Sequence, residues 1–157
     1  TADVKRIAAL VSAFAGDGQR LLRKADVTLY EDVQEFMVAE DDGVVVGCGA
    51  LHVMWEDLAE VRTLAVDPAR HRGGVGSAIL TALLDRARDL GVRRVFCLTF
   101  ALEFFGRHGF VAFEGTPVDP EVYPRLLESY DEGVAEFLGL ERVKPNTLGN
   151  TRMLVEL

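Results

Sequence analysis

The run Leu64-Ala-Val-Asp-Pro-Ala-Arg-His-Arg-Gly-Gly-Val-Gly-Ser77 passes from a β-forming segment through a turn and a basic cluster into glycines and a helix start. Pro68 cannot donate to a sheet ladder, so the strand ends at Asp67-Pro68. Glycines bare the backbone N–H groups and let a ligand approach closely. The unpaired N–H groups and the dipole of a helix start both favour an anion. Arg70, His71 and Arg72 add positive charge at the same place. Together these features describe a cradle for phosphate or pyrophosphate; a flexible turn with a few surface arginines is the plainer alternative. Two better-known phosphate motifs fail on residues. A Walker A loop needs Gly-Lys-Ser/Thr, and Gly76 and Ser77 are adjacent with no Lys between them. The dinucleotide fingerprint G-x-G-x-x-G, started at Gly74 and Gly76, meets Ile79 where its third glycine belongs.

Around that run, the periodicity alternates between helix and strand. Val4, Ile7, Ala8, Val11 and Phe14 recur at helical spacing up to Gly16. A short helical stretch over Leu21 to Ala25 leads into an irregular segment, Asp26 to Val33. Phe36 to Glu40 and Val44 to Met54 are rich in β-formers, with Asp41-Asp42-Gly43 as a hairpin turn between them. Trp55-Glu56-Asp57 makes another turn before a strand over Leu58 to Val66. Beyond the glycines, Val75, Ala78, Ile79, Ala82, Leu83, Ala87 and Leu90 form one apolar stripe ending at Gly91, a good residue just past a helix. Arg94 to Thr99 reads as a buried, partly parallel strand. A short helix over Leu102 to His108, a strand over Phe110 to Phe113 and a closing strand over Arg152 to Leu157 complete the pattern. Residues 116–147 read as a helical insertion punctuated by Pro117, Pro120, Pro124 and Pro145. The order predicts a mixed α/β class around one sheet.

Composition sets the outer bounds. The 157 residues are 49% hydrophobic, enough for a core and right for a single domain over 1–157. The net charge is −8, a poor balance for nucleic acid or anionic lipid, which demand positive patches. No apolar run approaches the roughly 20 residues that cross a bilayer. Asp3 stands where a secretory leader would carry its basic region, so no leader is expected. The two cysteines, Cys48 and Cys97, each lie in an apolar run; they read as buried thiols in a reducing cytoplasm, not as a disulfide framework. No His, Cys, Asp or Glu cluster has metal spacing, so no metal is expected.

The segment His71-Arg72-Gly73-Gly74-Val75-Gly76 resembles the Q/R-x-x-G-x-G/A pattern of the GNAT superfamily of acetyl-CoA-dependent N-acetyltransferases, with His71 in the first position. Gly109-Phe110 after a short helix resembles the family's other signature. Ala59-Glu-Val-Arg-Thr-Leu-Ala-Val-Asp-Pro68, Arg94-Val-Phe-Cys-Leu-Thr-Phe100 and Lys144-Pro-Asn-Thr-Leu-Gly-Asn-Thr-Arg-Met-Leu154 look like short single-domain amino-acid N-acetyltransferases, similar to the acetyltransferase half of N-acetylglutamate synthase. The resemblance implies the GNAT acyl-CoA N-acyltransferase fold, a mostly antiparallel mixed sheet flanked by helices. The family's usual first strand would lie before Thr1.

It also implies roles. Acetyl-CoA is the cosubstrate, held by Leu64, Ala65 and Val66, by His71, Arg72, Gly73, Gly74, Val75, Gly76 and Ser77, and by Thr99 and Phe105. The implied acceptor is the α-amine of an amino acid, L-glutamate or L-glutamine foremost, in the first step of arginine biosynthesis. Other small amines, a protein N-terminus, or a non-catalytic acetyl-CoA sensor are the alternatives. An amino acid arrives largely as its ammonium, so a base is useful. Glu60 is the candidate: it lies in the strand entering the glycine-rich turn, and alternation places Glu60, Arg62 and Leu64 on one face. The competing expectation for Glu60 and Arg62 is a solvent-facing ion pair of little energetic worth. Arg62 is the candidate for a substrate carboxylate, with Lys144, Asn146 and Arg152 as further substrate-side residues. Carbonyl polarisation is expected from the Leu64 or Val66 amide. Many family members carry a proton-donating Tyr five residues before the Phe of the Gly-Phe pair; here that residue is Phe105. Thr99 and His108 are weak substitutes, and His52 reads as a structural, hydrogen-bonded histidine. A homodimer stays open.

Overall fold

The computed structural model describes residues 1–14, 24–70, 73–139 and 149–157. Among the described residues six strands form one sheet: β1 (Phe36–Asp41), β2 (Val44–Trp55), β3 (Leu58–Val66), β4 (Arg94–Thr99), β5 (Val111–Ala112) and β6 (Thr151–Glu156), in the order β1-β2-β3-β4-β6-β5. The helices are α1 (Val4–Ser12), α2 (Asp26–Glu31), α3 (Val75–Asp89), α4 (Leu102–Gly106), α5 (Tyr123–Leu126) and α6 (Glu132–Leu138), with single 3-10 turns at Val33–Glu35 and Pro68–Arg70. The expected mixed α/β sheet is therefore present. The chain divides into two compact units, Thr1–Cys97 with Val155–Leu157, and Leu98–Leu154.

In the first unit β1, β2 and β3 form an antiparallel meander. Asp42 and Gly43 turn the first hairpin at φ 50° and 76°, the pair of positive φ values that a two-residue type I′ turn needs. β4 joins β3 in parallel over Leu58↔Arg94, Ala59↔Val95 and Glu60↔Phe96. Val4, Ile7, Leu10 and Val11 of α1 bury one apolar face with Leu29 of α2 against Val45, Cys48 and Ala65. α3 packs on β2 and β3 with Ile79, Leu80, Leu83, Leu84 and Ala87 buried. Two strand glycines let it lie close. A Cβ on Gly47 would stand 2.8 Å from Ile79 Cδ1, and one on Gly49 would stand 2.9 Å from Ile79 Cγ2 and 3.0 Å from Leu83 Cδ1. Gly91 at φ 79° follows the end of α3, as expected.

Two local expectations change. Asp26 to Glu31, read as irregular, forms α2: buried Leu29 anchors it and Asp26 in its first turn suits the helix dipole. Leu64 does not share a face with Glu60 and Arg62. The β2–β3 register pairs Ala50 with Arg62 and Cys48 with Ala65, so one extra β3 residue is accommodated opposite Gly49. Thr63, with φ 60°, marks the bulge. Alternation resumes with Ala65 on the α1 side, while Leu64 faces the Gly49 and α3 side, its Cδ1 3.0 Å from where a Gly49 Cβ would stand. The short helix at Leu21 to Ala25 falls largely outside the described residues.

In the second unit Phe105 stacks edge-on against Phe104 and Phe110, each at 5.1 Å between ring centres, and is buried. Asp131 caps α6 by accepting from the Val134 N–H at 2.9 Å, and Gly139 at φ 68° ends it. β5 and β6 pair antiparallel at Val111↔Leu154 and Ala112↔Met153.

Candidate active site

The glycine-rich end is built by backbone. Asp67 accepts the Ala69 N–H on its side chain at 3.0 Å and the Arg70 N–H on its carbonyl at 2.8 Å, closing the turn after β3. The Asp67 carboxyl is held below its ordinary value by the Ala69 N–H, against the pull of burial, with Arg6 and Arg70 adding to the effect. The Gly73 N–H donates to the Arg70 carbonyl at 3.1 Å, and Gly74 enters α3 at φ 75°, where a Cβ would be strained. Among the described residues no side chain caps α3 and no acidic residue stands in its first turn. The amides of Val75, Gly76 and Ser77 therefore open the helix with their dipole end suited to an anion. His71 and Arg72 lie outside the described residues.

The next part is the stretch of β3 beyond its parallel register with β4, which stops at Glu60↔Phe96. The Asp67 N–H donates to the Val46 carbonyl at 2.8 Å, which makes 46↔67 a hydrogen-bonded pair. By alternation Gly47↔Val66 is a non-hydrogen-bonded pair, so the Val66 N–H points away from β2. The bulge thus ends on an amide turned out of the ladder.

The third part is an acid–base cluster. Glu60 is 5% exposed, which removes the solvent-facing ion-pair alternative. His52 lies directly opposite it in the β2–β3 register, with its side chain on the same face. Arg62 is next along that face, its side chain 9% exposed. The 3-10 turn after α2 delivers Glu35, whose Oε1 lies 2.6 Å from His52 Nδ1 and whose Oε2 accepts from Arg62 Nη2 at 3.0 Å. Asp32 stands 3.5 Å from the same Arg62 nitrogen and is itself paired with Lys24 at 3.1 Å. Burial alone would raise the Glu35 carboxyl, but the His52 hydrogen bond and the Arg62 and His52 charges outweigh it and hold it below its ordinary value. An ionised Glu35 only accepts, which assigns the His52 proton to Nδ1. Arg62 Nη2, 2.9 Å from that nitrogen, is then a donor to Glu35 and not to His52. His52 is hydrogen-bonded, as expected; Glu35, Asp32 and Lys24 were not singled out in the sequence, because each sits in a stretch without motif or period.

Both cysteines are buried. Burial pushes the Cys48 thiol up to about 12, and burial together with the Glu60 charge pushes Cys97 up as well, so neither is a thiolate near neutrality. Thr99 is buried and its hydroxyl accepts from the Ala101 N–H at 2.9 Å. Phe105 sits in its aromatic cluster and has no proton to give. His108 Nδ1 pairs with the Phe104 carbonyl at 2.8 Å. Arg152 donates to the carbonyls of Gly115 at 2.7 Å and Glu136 at 3.3 Å, tying together the turn, α6 and β6 of the second unit. Lys144 and Asn146 lie outside the described residues. Among the described residues no group of three or more His, Cys, Asp or Glu is placed to hold a metal, and no helix is long and apolar enough to cross a membrane.

Comparison with known proteins places this arrangement. The family model described as "Acetyltransferase (GNAT) family" matches residues 9–110. A Mycobacterium tuberculosis protein named amino-acid acetyltransferase is 59% identical over 160 residues, taking in 100% of this chain and 91% of that protein. A protein of the same name from Neisseria meningitidis serogroup A is 37% identical over 110 residues; the match takes in 69% of this chain and 25% of that much longer protein. Among solved structures, Rv2747 from Mycobacterium tuberculosis in complex with CoA and a ligand designated NLQ superposes with a TM-score of 0.94 at 59% identity, covering 99% of this chain and 95% of that one. N-acetylglutamate synthase from Neisseria gonorrhoeae, complexed with coenzyme A and N-acetyl-glutamate, superposes with a TM-score of 0.78 at 26% identity, covering 100% of this chain and 33% of that one. With the family model spanning well over half of its residues, this chain belongs to the acetyltransferase (GNAT) family.

Proposed function

We propose that this enzyme transfers acetyl from acetyl-CoA to the α-amine of L-glutamate or L-glutamine by direct attack, as the first step of arginine biosynthesis. Its coarser description, an acetyl-CoA-dependent amino-acid N-acetyltransferase, follows from the full-length relative of that name and the CoA-bound neighbours. Support for the acceptor comes from the N-acetyl-glutamate bound by the gonococcal neighbour. The observation that carries the chemistry is a buried carboxylate, Glu60, on the strand that runs into an uncapped, acid-free helix N-terminus.

The α3 terminus fits acetyl-CoA: the amides of Val75, Gly76 and Ser77, opened by Gly74, hold the pyrophosphate. Acetyl-CoA supplies the thioester carbonyl and the leaving thiolate. Glu60 takes the proton from the incoming ammonium and so frees the nitrogen lone pair. The Val66 N–H, turned away from β2, is the amide offered to the carbonyl oxygen as negative charge develops on it. Arg62 meets the acceptor's carboxylate as a planar, multidentate cation on the same strand face as Glu60. The burial of both cysteines, which pushes their thiols up, supports direct attack over a cysteine-bound acyl intermediate.

Thiol release from acetyl-CoA across a panel of L-amino acids tests the reading. Saturable turnover confined to glutamate, glutamine or both is expected. Turnover only with peptides or other amines would overturn the acceptor, and cofactor binding with no turnover on any amine would overturn the enzyme's role.

A further inference from the structure

A buried base must be emptied of its proton once per turnover. Glu60 is almost without solvent contact, and the residue directly opposite it on the same face is the titratable His52. That imidazole is better exposed, at 19%, and Glu35 at 22% binds its Nδ1. Facing His52 are Glu35 from the 3-10 turn and Glu60 and Arg62 from β3; Asp32 and Lys24 complete the cluster behind them. With Nδ1–H committed to Glu35, Nε2 is the nitrogen through which the ring can take up and give back a proton.

We propose that His52, oriented by Glu35, is the proton outlet of Glu60. The inference rests on the reading of Glu60 as the base. The proton leaves the substrate ammonium for the Glu60 carboxylate and passes to His52 Nε2. The imidazolium that forms is stabilised by Glu35, and it releases the proton to water, restoring neutral His52 and ionised Glu60. Arg62 has a second task in this arrangement: by donating to Glu35 Oε2 it fixes the carboxylate that fixes the histidine. His52 is thus a positioning and relay residue and does not touch the acetyl group.

The test compares the pH dependence of kcat in the wild type and in Glu60→Gln, His52→Asn, Glu35→Gln and the Glu60→Gln/His52→Asn double variant of the full chain. Asn keeps an N–H for Glu35 but has no basic nitrogen, and circular dichroism checks each fold. His52→Asn is expected to lose about 10- to 100-fold in kcat near neutrality, at and below the lower end of what direct general acid–base catalysis contributes. The deficit shrinks as pH rises and with added imidazole, while the acetyl-CoA KM stays the same. Glu35→Gln lowers kcat in the same direction as His52→Asn, because the imidazole is no longer held in place, and it leaves the acetyl-CoA KM unchanged. The double variant is no slower than Glu60→Gln alone, since an outlet without a base serves nothing. A wild-type profile for His52→Asn overturns the proposal, and so do independent losses that multiply in the double variant. Wild-type turnover in Glu60→Gln would instead bring down the reading of Glu60 as base. A slow His52→Asn beside an intact Glu60→Gln would make His52 the base and end its role as outlet.

Discussion

The glycine-rich end of the site and its acid–base end are built in opposite ways. From Val66 to Ser77 every group that matters is contiguous in the chain and most of them are backbone: a strand end, an Asp67 turn, Gly74 in left-handed conformation and the first amides of α3. The acid–base cluster takes Asp32 and Glu35 from beside α2, His52 from β2 and Glu60 and Arg62 from β3, and it works through side chains alone. A backbone site tolerates changes in side chain as long as the main-chain path survives. A side-chain cluster tolerates changes in path as long as its charges stay matched. Perturbing the first end should therefore register in acetyl-CoA binding, and perturbing the second in turnover and in the amino-acid KM.

The largest separation is expected from Glu60→Gln. Removing the proposed base is expected to lower kcat by about 10²- to 10⁴-fold with the acetyl-CoA KM unchanged; a mutant active across the whole pH range would break the division at its strongest point. Arg62→Ala comes next. Losing a charge-assisted contact raises the amino-acid KM by about tenfold to a hundredfold. Equal changes in both KM values would refute a carboxylate role. On the other side, Gly49→Val drives a branched side chain against Ile79 and Leu83 where even a Cβ is too close. Overpacking of this kind costs about 1–3 kcal/mol of stability. Urea denaturation would show the loss, and displacement of α3 should raise the acetyl-CoA KM more than the amino-acid KM.

The same division explains what could be read from the sequence. Strand, Pro68, basic cluster, glycines and apolar stripe follow one another without a gap, so local rules suffice, and the boundaries of β3, β4 and the start of α3 fall where those rules put them. The shared face of Glu60 and Arg62 was legible too, because alternation holds along the part of β3 that carries them. Leu64 was misassigned to their face: alternation assumes an unbroken ladder, and the bulge at Thr63 depends on β2 opposite, not on β3's own pattern. Glu35, Asp32 and Lys24 were missed for a related reason. Each is an ordinary charged residue in a short, weakly periodic segment, and only the fold brings Glu35 to His52, 17 residues away, and to Arg62, 27 residues away.

The smallest effect to measure is the dependence of stability on pH. Glu35 holds its proton less tightly in the folded protein than in an unfolded chain, where a carboxyl of its kind titrates near 4.5. A carboxylate depressed in this way contributes its stability above the unfolded value, and the contribution drains away as pH falls through the lower, folded one. Asp67 is shifted in the same direction, so its contribution has the same sign. The stability difference between wild type and Glu35→Gln should therefore be constant near neutrality. It should begin to shrink below about pH 5 and vanish in stronger acid, where both side chains are neutral. His52 makes the window diagnostic. If its bond to Glu35 is the contact that matters, His52→Asn, which keeps the N–H donor, should retain most of the acid-sensitive stability that Glu35→Gln has lost. A His52→Asn protein whose acid unfolding matches that of Glu35→Gln would instead assign the coupling to the imidazolium charge and not to the Nδ1–H bond.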